Sequence, residues 1–317
     1  MFVHGLYFLI GLAGLYFGAE WLVAGAARLA RRLGMRPVVV GLTVVAFGSS
    51  APELLVGVVA SVGGQSEVVL GNVLGSNILN VALILGVAAM VRPLRVGLRL
   101  LSREIPLMVV FTVLVVGLML GGMVGRPQAV ILLVVFAMFI AYVLWAARQE
   151  QAMESEPGVE AVVMPGSGWG DVVLIALGLG GLVVGAHLLV VSSVFFALIL
   201  GVSEVVIGIT IVAIGTSLPE LATCVVAALR SEPDIAIGNA VGSNIFNILP
   251  ILGIAALIRP IPVRSELLEF EIPAMLLFAA VLLPLAWRGR VLGRGSGLLL
   301  LIGYLVFTGM LAARVLG

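Results

Sequence analysis

The chain contains no lysine, a single cysteine and two histidines, and charged residues make up only 10% of its 317 positions. Soluble domains carry charge at about a quarter of their positions, so a soluble globular fold is excluded. One thiol, Cys224, cannot build a disulfide framework or a cysteine-based zinc site, and its apolar neighbourhood reads as packing. All 17 basic residues are arginine, and 16 acids leave a formal net charge of +1, which points to no nucleic-acid partner. The first residues, Met1 to Ile10, lack the basic start and small-residue cleavage site of a signal peptide and read as the start of a first span.

What the chain has in abundance is apolar surface: 62% apolar residues and a mean hydropathy of +1.28. At about 20 residues per crossing, that composition supplies around ten spans. Apolar stretches between glycines, prolines, arginines and acids place them at 4–27, 38–62, 68–91, 102–122, 127–147, 171–196, 204–229, 235–258, 267–287 and 296–315. The polar interval 148–170, with Arg148, Glu150, Glu154, Pro157 and Pro165, divides the chain into a first unit, 1–147, and a second, 171–317. The expected fold is all-α and polytopic.

The two units repeat each other at an offset of 167: the segment from Gly41 to Glu53 matches that from Gly208 to Glu220 at 8 of 13 positions, and Gly71 to Asn80 matches Gly238 to Asn247 at 7 of 10. The register continues through Arg92-Pro93 with Arg259-Pro260 and Glu104-Ile-Pro106 with Glu271-Ile-Pro273, so repeat segments 41–93 and 208–260 correspond without insertion. Five crossings is an odd number, so the second unit enters the membrane from the opposite side, giving two inverted five-helix repeats. Thirteen arginines follow the odd-numbered spans and four (Arg126, Arg259, Arg264, Arg314) fall on the other side. By the positive-inside rule the 148–170 linker is cytoplasmic and both termini lie outside.

Glu53 and Glu220 fall near the centres of spans 2 and 7, where an ionised side chain costs about 2.5–3.5 kcal/mol on insertion scales. Each follows a proline, Pro52 or Pro219, which lacks an N–H and clashes with the carbonyl four residues back, so helices 2 and 7 are expected to break there. Ser49 and Ser50, and Thr216 and Ser217, then set hydroxyls and freed carbonyls beside the carboxylates. These are hard oxygen ligands, suited to Ca²⁺ and not to soft metals. In span 3, Asn72, Ser76 and Asn80 recur every four residues on one face, as do Asn239, Ser243 and Asn247 in span 8. Gly71 and Gly75, and Gly238 and Gly242, form small-residue pairs for close helix packing, and Asn77 and Asn244 read as interhelical hydrogen-bonders. Two carboxylates are neutralised by one Ca²⁺ or by two or three monovalent cations, and an empty, doubly charged dry site is costly to translocate. That is the requirement of an exchanger.

At these residues the chain resembles the sodium/calcium exchanger family of the cation/calcium antiporter superfamily, specifically its short prokaryotic members. The paired Gly-Ser/Thr-Ser-x-Pro-Glu and Gly-Asn-x-x-Gly-Ser-Asn-x-x-Asn segments look like that family's α-repeats, and the resemblance spans nearly the whole chain. It implies ten helices in an inverted arrangement, spans 1 and 6 sliding against a core, and a ligand set of Glu53, Glu220, Ser49, Ser50, Thr216 and Ser217. It adds the carbonyls of Ala46 and Ala213, the hydroxyls of Ser76 and Ser243 and the amides of Asn80 and Asn247. Asn247 stands where potassium-dependent and some prokaryotic members have Asp, which argues against K⁺ coupling, and Ser49 replaces a common Thr. The linker is too short for the regulatory domains of animal exchangers.

The implied activity is Ca²⁺/Na⁺ antiport in a prokaryotic cell membrane, with Ca²⁺ and Na⁺ as cargo, no cofactor, and a single chain sufficient to work as a monomer. The alternatives are proton/calcium exchange by the same carboxylates and, from a different class, an intramembrane protease using them as a dyad. Glu20 and His187, equivalent in the repeat, are expected either at the sliding interface or its water access, or in an interfacial or packing role. Glu104 and Glu271 are read as helix-start residues, and Glu67 and Asp234 as helix-dipole acids.

Overall fold

A computed structural model of the chain describes residues 1–154, 168–199 and 213–316. Most of the 148–170 interval and the start of the seventh expected span, including 208–212 of the second repeat segment, lie outside the described residues. In chain order the elements are α1 (Phe2–Arg32), α2 (Pro37–Ser49), α3 (Ala51–Val62), α4 (Ser66–Val91), β1 (Leu94–Arg95), α5 (Leu100–Met119), β2 (Met123–Val124) and α6 (Arg126–Glu154). They continue as α7 (Trp169–Ile199), α8 (Ala213–Thr216), α9 (Leu218–Leu229), α10 (Pro233–Ile258), β3 (Ile261–Pro262), α11 (Ser265–Glu269), α12 (Glu271–Trp287), β4 (Val291–Leu292) and α13 (Arg294–Leu316).

Among the described residues eight helices are long and apolar enough to cross a membrane, nine when the bent pair α2 and α3 counts as one span, and α9 is a shorter apolar helix. Most helices overrun the expected spans, whereas α5 ends at Met119, short of the expected 122. α1 continues to Arg32, setting Arg31 and Arg32 in its last turn, where cations face the negative end of the helix dipole.

Glycine sets the closest packing. α1 and α7 run antiparallel in contact, Gly11 against Gly185 and Leu189, Gly14 against Gly181 and Gly185, and Gly18 against Gly178 and Leu182. A Cβ on Gly178 would stand 2.5 Å from the Leu22 backbone nitrogen, so only glycine permits this approach. Gly238 and Gly242 do the same for α10 against α2: a Cβ there would meet Val38 O at 3.1 Å and Ala46 Cβ at 2.7 Å. For Gly71 and Gly75 nothing lies within 4 Å among the described residues.

α4 and α10 form the centre, enclosed by protein over most of their length, whereas α13 is mostly exposed. Connections pair off at two ends of the molecule. β1 pairs with β4, joining the segments after α4 and α12, and β2 pairs with β3, joining those after α5 and α10. Ion pairs follow the same division: Arg31–Glu232 (3.3 Å) and Arg32–Asp171 (2.9 Å) at the end of β1 and β4, and Arg264–Glu67 at the other.

Candidate functional site

The two proline breaks build the site. Pro52 and Pro219 each stand in the first turn of a new helix, α3 or α9, where a missing N–H costs nothing. α2 and α3 meet at 46°, with Ser50 at the bend, and Ser217 holds the corresponding position between α8 and α9. Glu53 and Glu220 therefore sit in first turns, where exposed backbone N–H groups favour negative charge. Both carboxylates are 1% exposed.

Each is held by the other half. The Ser50 hydroxyl donates to Glu220 Oε1 at 2.9 Å, and the Ser217 hydroxyl donates to Glu53 Oε1 at 3.2 Å. Ser49 and Thr216 stand one residue before these serines, at the ends of α2 and α8. The six carboxylate and hydroxyl residues expected from the sequence are thus one cluster, joined across the repeat.

Asn80 and Asn247 each open a π-helical turn within α4 and α10, a departure from regular helix that recurs at functional positions. Asn80 Nδ2 donates to Asn244 Oδ1 at 3.0 Å, and among the described residues Asn80 Oδ1 meets no partner. The same holds, among the described residues, for the second oxygens of Glu53 and Glu220, Ser243 Oγ, and both amide atoms of Asn247. A buried polar atom without a partner costs about 1–3 kcal/mol. Five of these six atoms are oxygens, the atoms a hard cation needs. Ser76 is buried one turn before Asn80 on α4. The Ala46 carbonyl accepts the Ser50 N–H at 3.0 Å, so it is not fully freed by the break, and Ala213 opens α8.

Three residues outside the expected ligand set support the cluster. Ser49 Oγ donates to Asn239 Oδ1 at 3.1 Å, and Asn239 Nδ2 points to Cys224 Sγ at 3.4 Å. Asn239 was visible as the first member of the span 8 polar face; the role of Cys224 had no sequence signal. On the other half, Asn72 Nδ2 donates to the Glu53 carbonyl at 3.0 Å.

Other expectations need correction. Asn77 is not an interhelical hydrogen-bonder through its amide N–H, which donates to Val73 O of its own helix at 2.7 Å, whereas Asn244 does link helices. Glu104 is not a helix-start acid: it is fully buried and accepts from Arg99 Nε at 2.7 Å. Glu271, Glu67 and Asp234 do occupy first helical turns. Glu20 and His187 part company: Glu20 pairs with Arg230, while His187 lines a cavity of about 330 Å³ beside Pro52 and Thr216. α7 also covers both breaks, with Leu179 over Gly48 and Val190 over Gly215.

Comparison with known proteins agrees with this geometry. A family model described as sodium/calcium exchanger protein matches residues 3–145 and 171–313, one stretch in each half. The inner membrane protein YrbG of Escherichia coli K12 is 36% identical over 308 residues, covering 96% of this chain and 95% of its own. The sodium/calcium exchanger MaX1 of Methanosarcina acetivorans is 33% identical over 340 residues, covering 96% and 97%. Among solved structures, the sodium-calcium exchanger NCX_Mj soaked with 2.5 mM Na⁺ and 1 mM Sr²⁺ superposes with a TM-score of 0.85 at 32% identity, covering 98% of this chain and 99% of that one. With both repeats inside the family model and relatives matched over nearly their full length, the chain is a multi-pass membrane protein that belongs to the sodium/calcium exchanger family.

Proposed function

We propose that the protein is a secondary antiporter that exchanges Ca²⁺ for Na⁺ by alternating access across a prokaryotic inner membrane. The observation that carries this reading is the set of buried oxygens on Glu53, Glu220, Asn80, Ser243 and Asn247 that have no partner among the described residues, drawn from both halves and tied together by the crossed serine bonds. The ligands are Glu53 and Glu220, with Ser49, Ser50, Thr216 and Ser217, the carbonyls of Ala46 and Ala213, and Ser76, Ser243, Asn80 and Asn247. Ca²⁺ takes six to eight oxygens, a number these residues supply from side chains and backbone together. Its charge balances the two carboxylates, and Na⁺ ions replace it on the return. The ions are cargo, and no cofactor enters the cycle.

The chain has ten spans in two inverted units, with both termini outside and the 148–170 linker cytoplasmic. The antiparallel contact of α1 with α7 supports the inversion, because its glycines are themselves equivalent at the 167 offset: Gly11 with Gly178, Gly14 with Gly181, Gly18 with Gly185. An axis passing between Gly14 and Gly181 relates the halves. The sorting of strand pairs and ion pairs to two ends supports the alternation of spans. One chain supplies both halves of the site, so the monomer is the working unit. The relatives carry no protease names, and the protease reading has no support.

The test is ⁴⁵Ca²⁺ uptake into proteoliposomes. Internal Na⁺ drives uptake, and dissipating the Na⁺ gradient stops it. Uptake indifferent to Na⁺ but driven by an acid interior would replace Na⁺ with H⁺ as the counter-ion.

A further inference from the structure

Sulfur stands behind two of the expected ligands. Asn80 Nδ2 donates to Asn244 Oδ1 at 3.0 Å, and Asn244 Nδ2 in turn reaches Met108 Sδ at 3.5 Å. Ser49 Oγ donates to Asn239 Oδ1 at 3.1 Å, and Asn239 Nδ2 reaches Cys224 Sγ at 3.4 Å. All of these side chains are buried. Both middle amides belong to α10, and both act on ligands of the first half.

An asparagine amide fits either way round, donor on one side and acceptor on the other, so its neighbours choose. A thioether has no proton to give, so only the NH2 of Asn244 can face Met108. The Asn244 oxygen is then fixed on Asn80, which must offer its own NH2, and Asn80 Oδ1 is the atom left without a partner among the described residues. Cys224 does the same for Asn239. Its thiol proton goes to Ala236 O at 3.2 Å, and its sulfur accepts from Asn239. The Asn239 oxygen then takes the Ser49 proton, in competition with Ala46 O at 3.4 Å, and the lone pairs of Ser49 remain for a cation. Sulfur is a poor ligand for a hard cation, so neither anchor competes for the ion.

The repeat supplies an internal comparison. At the 167 offset Met108 corresponds to Met275, Asn244 to Asn77 and Asn80 to Asn247. Met275 is buried like Met108, yet Asn77 gives its N–H to Val73 O, and Met275 has no amide donor among the described residues. Both amide atoms of Asn247 are without a partner among those residues. Cys224 corresponds to Gly57, which offers no sulfur. The same residue types form a relay in one half and not in the other.

We propose that Met108 with Asn244, and Cys224 with Asn239, are positioning residues that hold Asn80 and Ser49 oxygen-first toward the cargo cation, so that the first half of the site is set before the ion arrives. The proposal rests on the ion site described under the proposed function.

The experiment is ⁴⁵Ca²⁺ binding to the purified full chain in detergent, with the melting temperature recorded for every variant. Met108→Leu and Cys224→Ala each raise the Kd about 2- to 10-fold, the effect of one neutral hydrogen bond. Asn244→Leu and Asn239→Leu raise it about 10- to 100-fold, the range for partners that orient a metal ligand. Met275→Leu, the same change at the equivalent buried position, leaves the Kd unchanged while its melting temperature moves as that of Met108→Leu does. Cys224→Ser retains the wild-type Kd, because its hydroxyl donates to Ala236 O and accepts from Asn239. Cys224 is the one thiol of the chain, so its S–H stretching band in the infrared reports on this relay. Ca²⁺ shifts that band in the wild type and not in Asn239→Leu, since linked hydrogen bonds polarise one another. A wild-type Kd in Met108→Leu and Cys224→Ala, or an equal loss in Met275→Leu and Met108→Leu, would overturn the relay and leave the ion site standing. A wild type that binds no Ca²⁺ would overturn both.

Discussion

The Ser50 hydroxyl stands 2.9 Å from Glu220 Oε1, although the two residues are 170 positions apart and belong to opposite halves. Its counterpart, Ser217 to Glu53, is 3.2 Å. Neither half therefore holds its own carboxylate by the hydroxyl at its own break. Any rearrangement that parts the halves loosens both carboxylates together, which couples occupancy of the site to the conformation around it.

A hydrogen bond to a charged group is worth about 1.5–3 kcal/mol, or about 10- to 100-fold in affinity. Ser50→Ala and Ser217→Ala are each expected to raise the Ca²⁺ concentration for half-maximal exchange by about that factor. Ca²⁺ titration of proteoliposome uptake checks this, and an unchanged half-maximal concentration in either variant would separate that serine from the site.

Glu53→Gln and Glu220→Gln keep the side chain's size and remove its charge. Each is expected to reduce Ca²⁺ exchange to background while the purified protein elutes and melts as the wild type does, since a neutral amide lowers the desolvation cost of an empty site. Full exchange by either variant would remove that glutamate from the site.

Local chemistry explains what could be read from the sequence. A proline removes a helical hydrogen bond and crowds the preceding turn, so Pro52 and Pro219 announced the breaks and fixed Glu53 and Glu220 just past them, although Pro250 and Pro284 lie inside α10 and α12 without ending them. The four-residue spacing of Asn72, Ser76 and Asn80 is a property of one helix and needed no tertiary information. The crossed serine bonds were not legible, because they depend on how the halves dock. Glu104 was misread because its partner, Arg99, lies five residues back, a spacing that meets on a π-helical turn and not on the regular helix assumed for a span. Asn77 and Asn244 are equivalent in sequence, yet only Asn244 receives an amide from across the repeat, so the pseudo-symmetry of the chain is not carried into every contact.

The α1–α7 contact gives a prediction about stability. A Cβ at Gly178 would fall 2.5 Å from Leu22 N and 2.8 Å from Gly18 O, backbone atoms that cannot turn aside. Gly178→Ala is expected to cost about 1–3 kcal/mol through overpacking. Gly180, two residues on, has nothing within 4 Å among the described residues, so Gly180→Ala should be neutral or stabilising by up to about 1 kcal/mol from helix propensity. Thermal unfolding of both variants in the same detergent compares them, and equal melting temperatures would mean that α1 and α7 are not in this contact in solution.

The paired helices α1 and α7 are fastened to the rest of the protein unevenly. Glu20 on α1 accepts from Arg230 Nε at 2.7 Å, just past the end of α9, and Arg31 pairs with Glu232 close by. The repeat equivalents of Glu20 and Arg230 are His187 and Gly63, so the opposite end has no matching ion pair at these positions. A partly exposed pair is worth about 0–1 kcal/mol, enough to bias an opening equilibrium up to about fivefold. Arg230→Gln is expected to speed hydrogen exchange at 28–36 and 228–232 by up to that factor and leave 60–66 unchanged. Installing the missing pair as His187→Glu with Gly63→Arg should slow exchange at 60–66 instead. If Arg230→Gln leaves exchange at 28–36 at the wild-type rate, the pair does not fasten α1 to α9.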